Sequence, residues 1–190
     1  MAVRLRDRPW TYADLEPLPD DGKRHEIIDG VLFEMPPPNI RNILTLSNLV
    51  ALLSPVVAAV GARLVPAIAD VFLPGAEPVE PDLFVLLPGS RVRLAPRAIE
   101  GAPDLVIEVP SPSNRVHDTL TKRALYGRGG VREYWIVDPE ALAVEVLALD
   151  GDALRSVGVF AGDDRAASAV LPGVEFSAAE VFAGFDEIQG

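Results

Sequence analysis

The sequence predicts a mixed α/β (α+β) fold in which helices flank a mixed β-sheet. Residues 104–110 and 133–137 form mainly apolar segments, which are typical of strands buried on both faces of a sheet. The helix-like segment between them predicts a right-handed parallel crossover. The chain has 190 residues, of which 49% are hydrophobic, enough for a substantial core. We expect one domain over residues 1–190, with its core at about 24–150 and C-terminal strands and a short helix at 151–190.

The composition restricts the classes of partner and of chemistry. The 28 acidic residues outnumber the 17 lysines and arginines, so the formal net charge is −11 and the overall field repels nucleic acid. A bound cation or a local basic patch can override that field. The absence of cysteine excludes disulfides, zinc–thiolate sites and thiol nucleophiles, and it fits a reducing cytoplasm. Since we find no signal-peptide core and no unbroken, uncharged apolar segment of about 18 residues, we expect a cytoplasmic protein that does not bind a membrane.

Two short elements should precede the first long helix. Residues 11–14 have the spacing of a helix cap and predict a short helix. Residues 24–35 predict two strands joined at Asp29 and Gly30, a dipeptide that is typical of hairpin turns. Glu26, in the first of these strands, alternates with an apolar neighbour, and a residue in that position ordinarily faces the solvent.

A long and largely buried helix should begin near Asn39, which can cap it. Its apolar stripe comprises Ile43, Leu46, Val50, Leu53 and Val57, and it is widened by Leu49, Leu52 and Val56. Pro55 has no backbone donor, so it should kink the helix or end it early.

Three strands should follow the long helix, at residues 63–73, 83–87 and 104–110. The loop between the last two strands contains the densest positive cluster in the chain. Its arginines are Arg91, Arg93 and Arg97. This cluster predicts either a solvated loop or a contact with phosphate groups.

A second helix should connect residues 104–110 to the next strand and end near Tyr126, where glycines follow. Its predicted apolar stripe comprises Val116, Leu120 and Ala124. A separate polar face, with steps of three and four residues, comprises Arg115, Asp118, Lys122 and Tyr126. The remaining predicted elements are strands at 133–137, 144–149 and 154–160, and a short helix that begins with a capping box at 177–180.

Glu108 is the residue that folding alone explains least, because it places a carboxylate within an apolar strand. The sequence offers three partners for it: Asp82 at the start of another strand, Lys122 on the second helix, and a divalent cation held by both acids. Alternatively, Glu108 turns outward at the strand end. If the two strands are adjacent and antiparallel, Asp82 and Glu108 meet at one rim of the sheet. Two carboxylates with a lysine nearby are what Mg²⁺-assisted hydrolysis of a phosphodiester needs.

These residues resemble the Uma2 family of the PD-(D/E)XK nuclease superfamily. The shared marks are HEIIDG (25–30), EPDL (80–83), PDLVIEV (103–109), SPS (111–113) and GVREYWIVDP (130–139), with Asp118, Lys122 and Tyr126. The resemblance implies a restriction-endonuclease-like fold, with a sheet core flanked by helices, an N-terminal hairpin and C-terminal strands. It also implies a Mg²⁺ site, in which Mn²⁺ can substitute, at Asp82, Glu108 and the backbone carbonyl of Val109, with Glu26 in the same cluster.

Two departures from the family pattern bear on activity. The superfamily lysine stands two residues after the glutamate, where this chain has Pro110. Members of the family use a lysine from the following helix instead; Lys122 matches that position, and Asp118 should orient it. The histidine that relatives often carry near the start of the first long helix is absent here, where residues 39–41 read Asn-Ile-Arg.

The resemblance therefore implies a Mg²⁺-dependent endonuclease that hydrolyses DNA, with Glu26, Asp82, Glu108 and Lys122 as catalytic residues. Weaker candidates for DNA contact are Arg91, Arg93, Arg97 and Arg115. Since a nuclease of this size usually cuts both strands through two paired sites, we expect a homodimer. Two alternatives remain open: a catalytically inactive nuclease-fold domain that binds nucleic acid or protein, and a metal-independent hydrolase that uses the carboxylate pair to act on sugars.

Overall fold

The computed structural model describes residues 2–4, 7–15, 17–18, 24–66, 69–96, 98–111 and 117–188. The strands are β1 (Ala2–Arg4), β2 (Arg24–Ile28), β3 (Val31–Met35), β4 (Arg63–Pro66), β5 (Asp70–Phe72), β6 (Leu83–Leu86), β7 (Arg93–Leu94), β8 (Ala98–Glu100), β9 (Leu105–Glu108), β10 (Glu133–Asp138), β11 (Ala143–Asp150), β12 (Ala153–Ala161), β13 (Arg165–Ala167) and β14 (Glu175–Ser177). The α-helices are α1 (Ile40–Ala59), α2 (Arg123–Gly129) and α3 (Ala178–Val181). A π-helix spans His117–Lys122, and 3₁₀ helices span Tyr12–Asp14 and Phe185–Glu187. These mixed sheets with few helices are the α+β class that the sequence predicts.

A six-stranded mixed sheet, in the order β12-β11-β10-β9-β6-β4, forms the centre of the fold. β9 and β10 pair in parallel, which confirms the predicted parallel connection between them. β6 and β9 are adjacent and antiparallel, with Leu83 opposite Ile107. Because Asp82 precedes Leu83 and Glu108 follows Ile107, this register brings both acids to the same end of the strand pair.

Side chains of the central sheet alternate between two faces, and both faces are buried. Ile107 and Trp135 lie on the face that packs against α1 and the C-terminal segment. Val106 and Tyr134 lie on the opposite face, which packs against the β2–β3 hairpin, α2 and the small β5-β8-β7 sheet. Glu108 is two residues after Val106, so it shares the face covered by the hairpin and α2.

The β2–β3 hairpin forms as predicted, with Ile28 opposite Val31. Asp29 and Gly30 both have positive φ angles, 50° and 76°, as a two-residue type I′ turn requires. A Cβ atom at Gly30 would lie 2.6 Å from Cβ of Pro9, so the turn needs glycine for space as well as for conformation.

α1 continues for four residues beyond Pro55, so the predicted early end at this proline is wrong. Because Pro55 has no backbone N–H, the carbonyl group of Ala51 receives no helical hydrogen bond from it. Pro55 and Ala51 are both exposed, so this carbonyl group can be solvated. By length and composition alone α1 could cross a membrane, although no membrane-spanning segment was predicted from the sequence. A helix that packs on a protein core passes the same test, and one face of α1 packs on the central sheet.

The buried face of α1 includes Leu49, Leu53 and Val57 of the predicted apolar stripe, but it is rotated away from Ile43 towards Asn42 and Thr45. Its buried residues are Asn42, Thr45, Leu49, Leu53 and Val57. Ile43, which was predicted to be part of the stripe, is 49% exposed. The rotation places the polar side chains of Asn42 and Thr45 in the interior, where their hydrogen bonds matter.

The predicted strand at residues 63–73 consists of two strands in different sheets. β4 is an edge strand of the central sheet, whereas β5 pairs with β8 in the small sheet. The predicted basic loop also contains regular structure, because β7 and β8 pair within it and Arg93 forms a salt bridge with Glu100. The sequence pattern did not separate these short strands from their loops.

The π-helix and α2 lead from β9 to β10, and residues 112–116, including Val116, lie outside the described part of the chain. The predicted apolar stripe is wrong, because Leu120 is 65% exposed and Ala124 is also exposed. The buried residues are instead Lys122, Leu125, Tyr126, Gly127 and Gly129. Lys122 and Tyr126, the described residues of the predicted polar face whose burial is known, thus point inward, towards the face of the sheet that carries Glu108.

Gly127 fixes the position of α2 against the turn between β11 and β12. A Cβ atom at this position would lie 2.8 Å from the carbonyl oxygen of Asp152. α2 ends at Gly129, three residues beyond the predicted end, and Gly130 caps it with a φ angle of 86°. The close approach at Gly127 therefore sets where the side chains of α2 and of the adjoining Lys122 can lie.

The C-terminal segment is held by Glu133, a buried carboxylate on β10. Its Oε1 accepts a hydrogen bond from the indole N–H of Trp135 at 2.7 Å. Its Oε2 accepts bonds from the backbone N–H groups of Ala169 and Val170 at 2.9 and 3.2 Å. Glu133 is thus a structural carboxylate whose hydrogen bonds are satisfied within the fold.

The predicted capping box at residues 177–180 is present and begins α3.

Candidate functional site

Asp82 and Glu108, the two carboxylates among the predicted metal ligands, line one cavity at the shared end of β6 and β9. Asp82 immediately precedes β6, and its Oδ2 accepts a hydrogen bond from the backbone N–H of Val109 at 2.8 Å. Glu108 is the last residue of β9 and is 2% exposed, so the outward orientation considered for it is wrong. The hydrogen bond to Val109 holds Asp82 beside the end of the strand that carries Glu108.

Lys122 lies between two buried carboxylates. Its Nζ is 3.0 Å from Oε1 of Glu108 and 3.0 Å from Oε1 of Glu26. All three residues are 2% exposed. Lys122 is therefore in direct contact with Glu108, as one of the partners considered for that residue. When all three groups are ionised, one negative charge within this trio is uncompensated, which favours the approach of a cation.

Glu26 reaches the site from β2 because the hairpin packs on the central sheet. Besides Lys122, the backbone N–H of Glu80 donates to Oε1 of Glu26, at 3.4 Å. The solvent-facing position that strand alternation suggests for Glu26 is wrong, since both faces of this part of β2 are covered. A residue 96 positions before Lys122 in sequence is thereby its direct partner.

Tyr126 is a second partner of the Glu108 oxygen that Lys122 contacts. Its hydroxyl donates a hydrogen bond to Oε1 of Glu108 at 2.6 Å, and the residue is fully buried. Burial and then the Glu108 carboxylate raise the pKa of Tyr126 well above its ordinary value, while the ammonium of Lys122 acts in the other direction. The hydroxyl consequently stays protonated at neutral pH and keeps its role as a donor to Glu108.

Asn42 joins α1 to the chain that follows β9. Its Nδ2 donates to the carbonyl oxygen of Val109 at 2.8 Å and to that of Pro110 at 3.3 Å. The backbone N–H of Asn42 donates to the side chain of Asn39, which confirms the predicted helix cap. Among the described residues, no donor reaches Oδ1 of Asn42, although this atom is buried. An unsatisfied buried acceptor costs about 1–3 kcal/mol.

The cavity itself has a volume of about 50 Å³. Its polar lining residues include Glu26, Asn42, Glu80, Asp82, Glu108 and Lys122. Since one buried water needs roughly 10–15 Å³ of such volume, the cavity has room for a small ion with a few waters.

The side chains around this cavity fit a hard divalent cation. Asp82 and Glu108 offer carboxylate oxygens, and Mg²⁺ is typically bound by one or two carboxylates with waters in its other positions. Within the described ranges, no group of three or more acidic or histidine side chains is arranged to hold a metal. The carbonyl oxygen of Val109, the third predicted ligand, already accepts the bond from Asn42, but a carbonyl oxygen can accept a second partner.

The predicted basic and supporting residues lie apart from this cavity or outside the described chain. Arg91 is exposed, and Arg93 is engaged in its salt bridge. Arg97, Arg115 and the side chain of Asp118 lie outside the described residues. The structure therefore brings together Glu26, Asp82, Glu108, Val109 and Lys122 from the predicted set.

Sequence reasoning assigned no role at this site to Asn42, Glu80 or Tyr126, which lie at the cavity or contact Glu108. Tyr126 could have been assigned to the site from the sequence, because it lies one helical turn after Lys122 and shares its face. Glu80 also carried a signal, since it stands two residues before Asp82 in a shared family segment. Asn42 carried none, because the apolar stripe predicted for α1 pointed in another direction.

Comparisons with known proteins identify the family and the fold. The model of the Uma2 family, described as "Putative restriction endonuclease", matches residues 11–179. The fold is similar to the crystal structure of a "putative nuclease belonging to DUF820" from Anabaena variabilis ATCC 29413, with a TM-score of 0.74 and 21% sequence identity. That likeness covers 92% of this chain and 98% of the other, and at such an identity it establishes the fold. A search of curated proteins finds no match.

The family match spans most of the chain and includes every site residue named above. The motifs that suggested the resemblance are the same ones that place Glu26, Asp82, Glu108 and Lys122 together. This protein therefore belongs to the Uma2 family.

Proposed function

We propose that this protein is a Mg²⁺-dependent endonuclease that hydrolyses phosphodiester bonds in DNA, and that Mn²⁺ can replace Mg²⁺. The observation that carries the proposal is the convergence of Asp82 and Glu108 on one cavity, with the buried Lys122 in contact with Glu108. Membership of a restriction-endonuclease family supports a nucleic acid as the substrate.

Asp82, Glu108 and the backbone carbonyl of Val109 would hold the cation. When bound there, a divalent cation lowers the pKa of a water molecule and stabilises negative charge on the phosphate. The protein's part is to fix the ligands before the substrate arrives. The N–H of Val109 fixes Asp82, while Tyr126 and Lys122 fix Glu108.

Lys122 supplies the positive charge of the motif from a helix and not from the strand. Its ammonium can hold the attacking water or stabilise the charge that develops on a phosphate oxygen. Glu26 accepts a hydrogen bond from the same ammonium and so limits where it can point. Because Lys122 is 2% exposed and lines the cavity, a substrate phosphate would reach it from the side of Asp82 and Glu108.

The acidic surface makes DNA binding the most demanding part of this proposal. A cation at the site would reduce the local negative charge, and we propose that a homodimer brings two copies of the loop with the exposed Arg91 towards one duplex. Light scattering should then show a dimer. A monomer at high protein concentration would contradict the dimer and leave the metal site unaffected.

Cleavage of supercoiled plasmid DNA tests the activity. The wild-type protein should cut DNA with Mg²⁺ or Mn²⁺ and should stop when EDTA is added. Asp82→Asn, Lys122→Ala and Lys122→Arg should each lower the rate by at least about 100-fold, because a guanidinium does not replace a compact ammonium. Arg128→Ala is the matched control. Arg128 lies on α2, which adjoins Lys122, and the change removes its exposed ion pair with Asp29.

Each failure of this assay has its own meaning. Cleavage of DNA that survives EDTA would contradict the metal dependence. Hydrolysis of a sugar substrate in EDTA, without cleavage of DNA, would favour the metal-independent carboxylate-pair hydrolase. Binding of DNA without cleavage under any divalent cation would favour the inactive nuclease-fold domain. A near-normal rate for Lys122→Ala, in a preparation whose wild type is active, would show that the assignment of the lysine is wrong.

A further inference from the structure

Asn42 carries a hydrogen-bond acceptor at the candidate site for which the described residues supply no donor. The residue is 3% exposed and lines the cavity together with Asp82 and Glu108. Its Oδ1 is buried and has no hydrogen-bond partner among the residues that the structure describes. Buried polar atoms are satisfied in the large majority of cases, so an unsatisfied one that belongs to a cavity residue points to a missing donor.

The orientation of the Asn42 amide is fixed by its surroundings. Nδ2 faces the carbonyl oxygens of Val109 and Pro110 and donates to both. If the amide were turned around, Oδ1 would face two other acceptors, and both hydrogen bonds would be replaced by repulsion. The unsatisfied oxygen is therefore not an error of amide assignment, and its partner must come from another direction.

We infer that Asn42 is a positioning residue of the cation site, whose Oδ1 accepts a hydrogen bond from a water bound to the divalent cation. This inference rests on the proposed metal site at Asp82 and Glu108. Mg²⁺ gives up its waters reluctantly and usually keeps several of them, and a water polarised by a cation is a strong donor. A partner of this kind, outside the direct ligands, commonly changes metal affinity by about 10- to 100-fold.

The amide would then link two parts of the site. Its nitrogen holds the carbonyl oxygen of Val109, the residue that follows Glu108, and its oxygen would hold the water shell of the cation. Replacing Asn42 by aspartate separates these two functions, because aspartate keeps an oxygen at this position and loses the donor to Val109. Replacing it by leucine removes both functions and keeps the branching of the side chain.

Thr45 provides a matched control on the same helix. It is fully buried on α1, and its Oγ1 also has no hydrogen-bond partner among the described residues. Thr45 is not among the described residues that line the cavity. Thr45→Val removes a buried, unsatisfied oxygen three residues from Asn42 and should leave cation affinity unchanged.

Titration with Mn²⁺, followed by the electron paramagnetic resonance signal of the free ion, measures this affinity without DNA and without turnover. Asn42→Leu should weaken Mn²⁺ binding by about 10- to 100-fold. Asn42→Asp should bind Mn²⁺ at least as tightly as the wild type, even if its melting temperature in EDTA is lower. Circular dichroism in EDTA checks the fold, and Asn42→Ala replaces Asn42→Leu if the leucine variant does not fold.

The possible results separate this inference from the proposed function. Unchanged Mn²⁺ affinity in Asn42→Leu, with binding abolished in Asp82→Asn, would overturn the role of Asn42 and leave the metal site standing. Equal weakening in Asn42→Leu and Asn42→Asp would also overturn it, because the effect would then come from the lost donor to Val109. No binding by the wild type would overturn both this inference and the metal dependence.

Discussion

Replacing Lys122 by methionine should strongly destabilise the metal-free protein. Methionine has a similar length and no charge, so the change removes the ammonium while the volume is largely kept. Glu26 and Glu108 would then remain as two buried carboxylates without the cation that lies 3.0 Å from each. The perturbation therefore tests directly whether the three charges form one buried group.

The expected magnitude follows from burial. The side chains of the trio are only 2–3% exposed, and removing one partner from a buried ion pair costs about 3–5 kcal/mol. For a domain of this size, each kcal/mol changes the melting temperature by about 2–4 °C, so a decrease of roughly 6–20 °C is expected. The exposed pair of Arg128 and Asp29, with side chains 50% and 65% exposed, should contribute no more than about 1 kcal/mol.

Urea unfolding followed by circular dichroism in EDTA measures both effects. Lys122→Met is compared with Arg128→Met, the matched exposed pair on α2. A double variant, Glu26→Gln with Lys122→Met, should be more stable than Lys122→Met alone, because one of the two stranded carboxylates becomes neutral. Coupling energies of about 0.5–3 kcal/mol are usual for residues in direct contact.

If Lys122→Met lowers the free energy of unfolding no more than Arg128→Met does, the prediction is wrong. It would also be refuted if Glu26→Gln and Lys122→Met were strictly additive, since partners at 3.0 Å should couple. Either result would mean that Lys122 does not occupy the buried position between the two acids.

Three further substitutions probe the supports of the site. Tyr126→Phe removes the donor to Glu108 and should lower the free energy of unfolding by about 1.5–3 kcal/mol, the usual range for a hydrogen bond to a charged group. A decrease below about 0.5 kcal/mol would show that the bond is not formed. Gly127→Ala should cost about 1–3 kcal/mol, because its Cβ would meet the carbonyl oxygen of Asp152, and unchanged urea unfolding would contradict that close approach. Glu133→Ala should cost about 3 kcal/mol or more, since the buried donors of Trp135 and Val170 and the part-buried N–H of Ala169 lose their acceptor, and a stable variant would show that this carboxylate is dispensable.

The parts of the fold that could be predicted from the sequence depend on local chemistry. Asp29 and Gly30 specify their turn because few residues tolerate two successive positive φ angles. The pairing of β9 with β10 follows from two apolar strands joined by a helix. Asp82 and Glu108 could be placed at one rim because antiparallel neighbours bring the start of one strand to the end of the other.

The inward face of the second helix could not be predicted, because pattern reasoning treats polar side chains as exposed. Lys122 and Tyr126 are buried since they bond to Glu108 on another element, and Leu120 is exposed although it is apolar. The sequence could name Lys122 as one of three possible partners of Glu108, but the choice among them is a tertiary contact that local patterns do not specify. The same reason explains Glu26, whose partner Lys122 is far away in sequence.

The orientation of α1 was ambiguous because apolar residues lie on most sides of it. A stripe through Ile43 and a stripe through Leu49 are both compatible with helical spacing, and tertiary packing selects the second one. Asn42 enters the site only because of that selection. Its two bonds to the chain after Glu108 show what α1 gains from the rotation.

The central claim is that Asp82 and Glu108 form a divalent cation site, and anomalous diffraction from a crystal soaked in Mn²⁺ tests it most directly. We expect a Mn²⁺ peak in contact with both carboxylates, and we expect this peak to be absent from a crystal of Asp82→Asn. A fully occupied Mn²⁺ elsewhere, or no peak between Asp82 and Glu108 at a Mn²⁺ concentration that supports DNA cleavage, would contradict the claim.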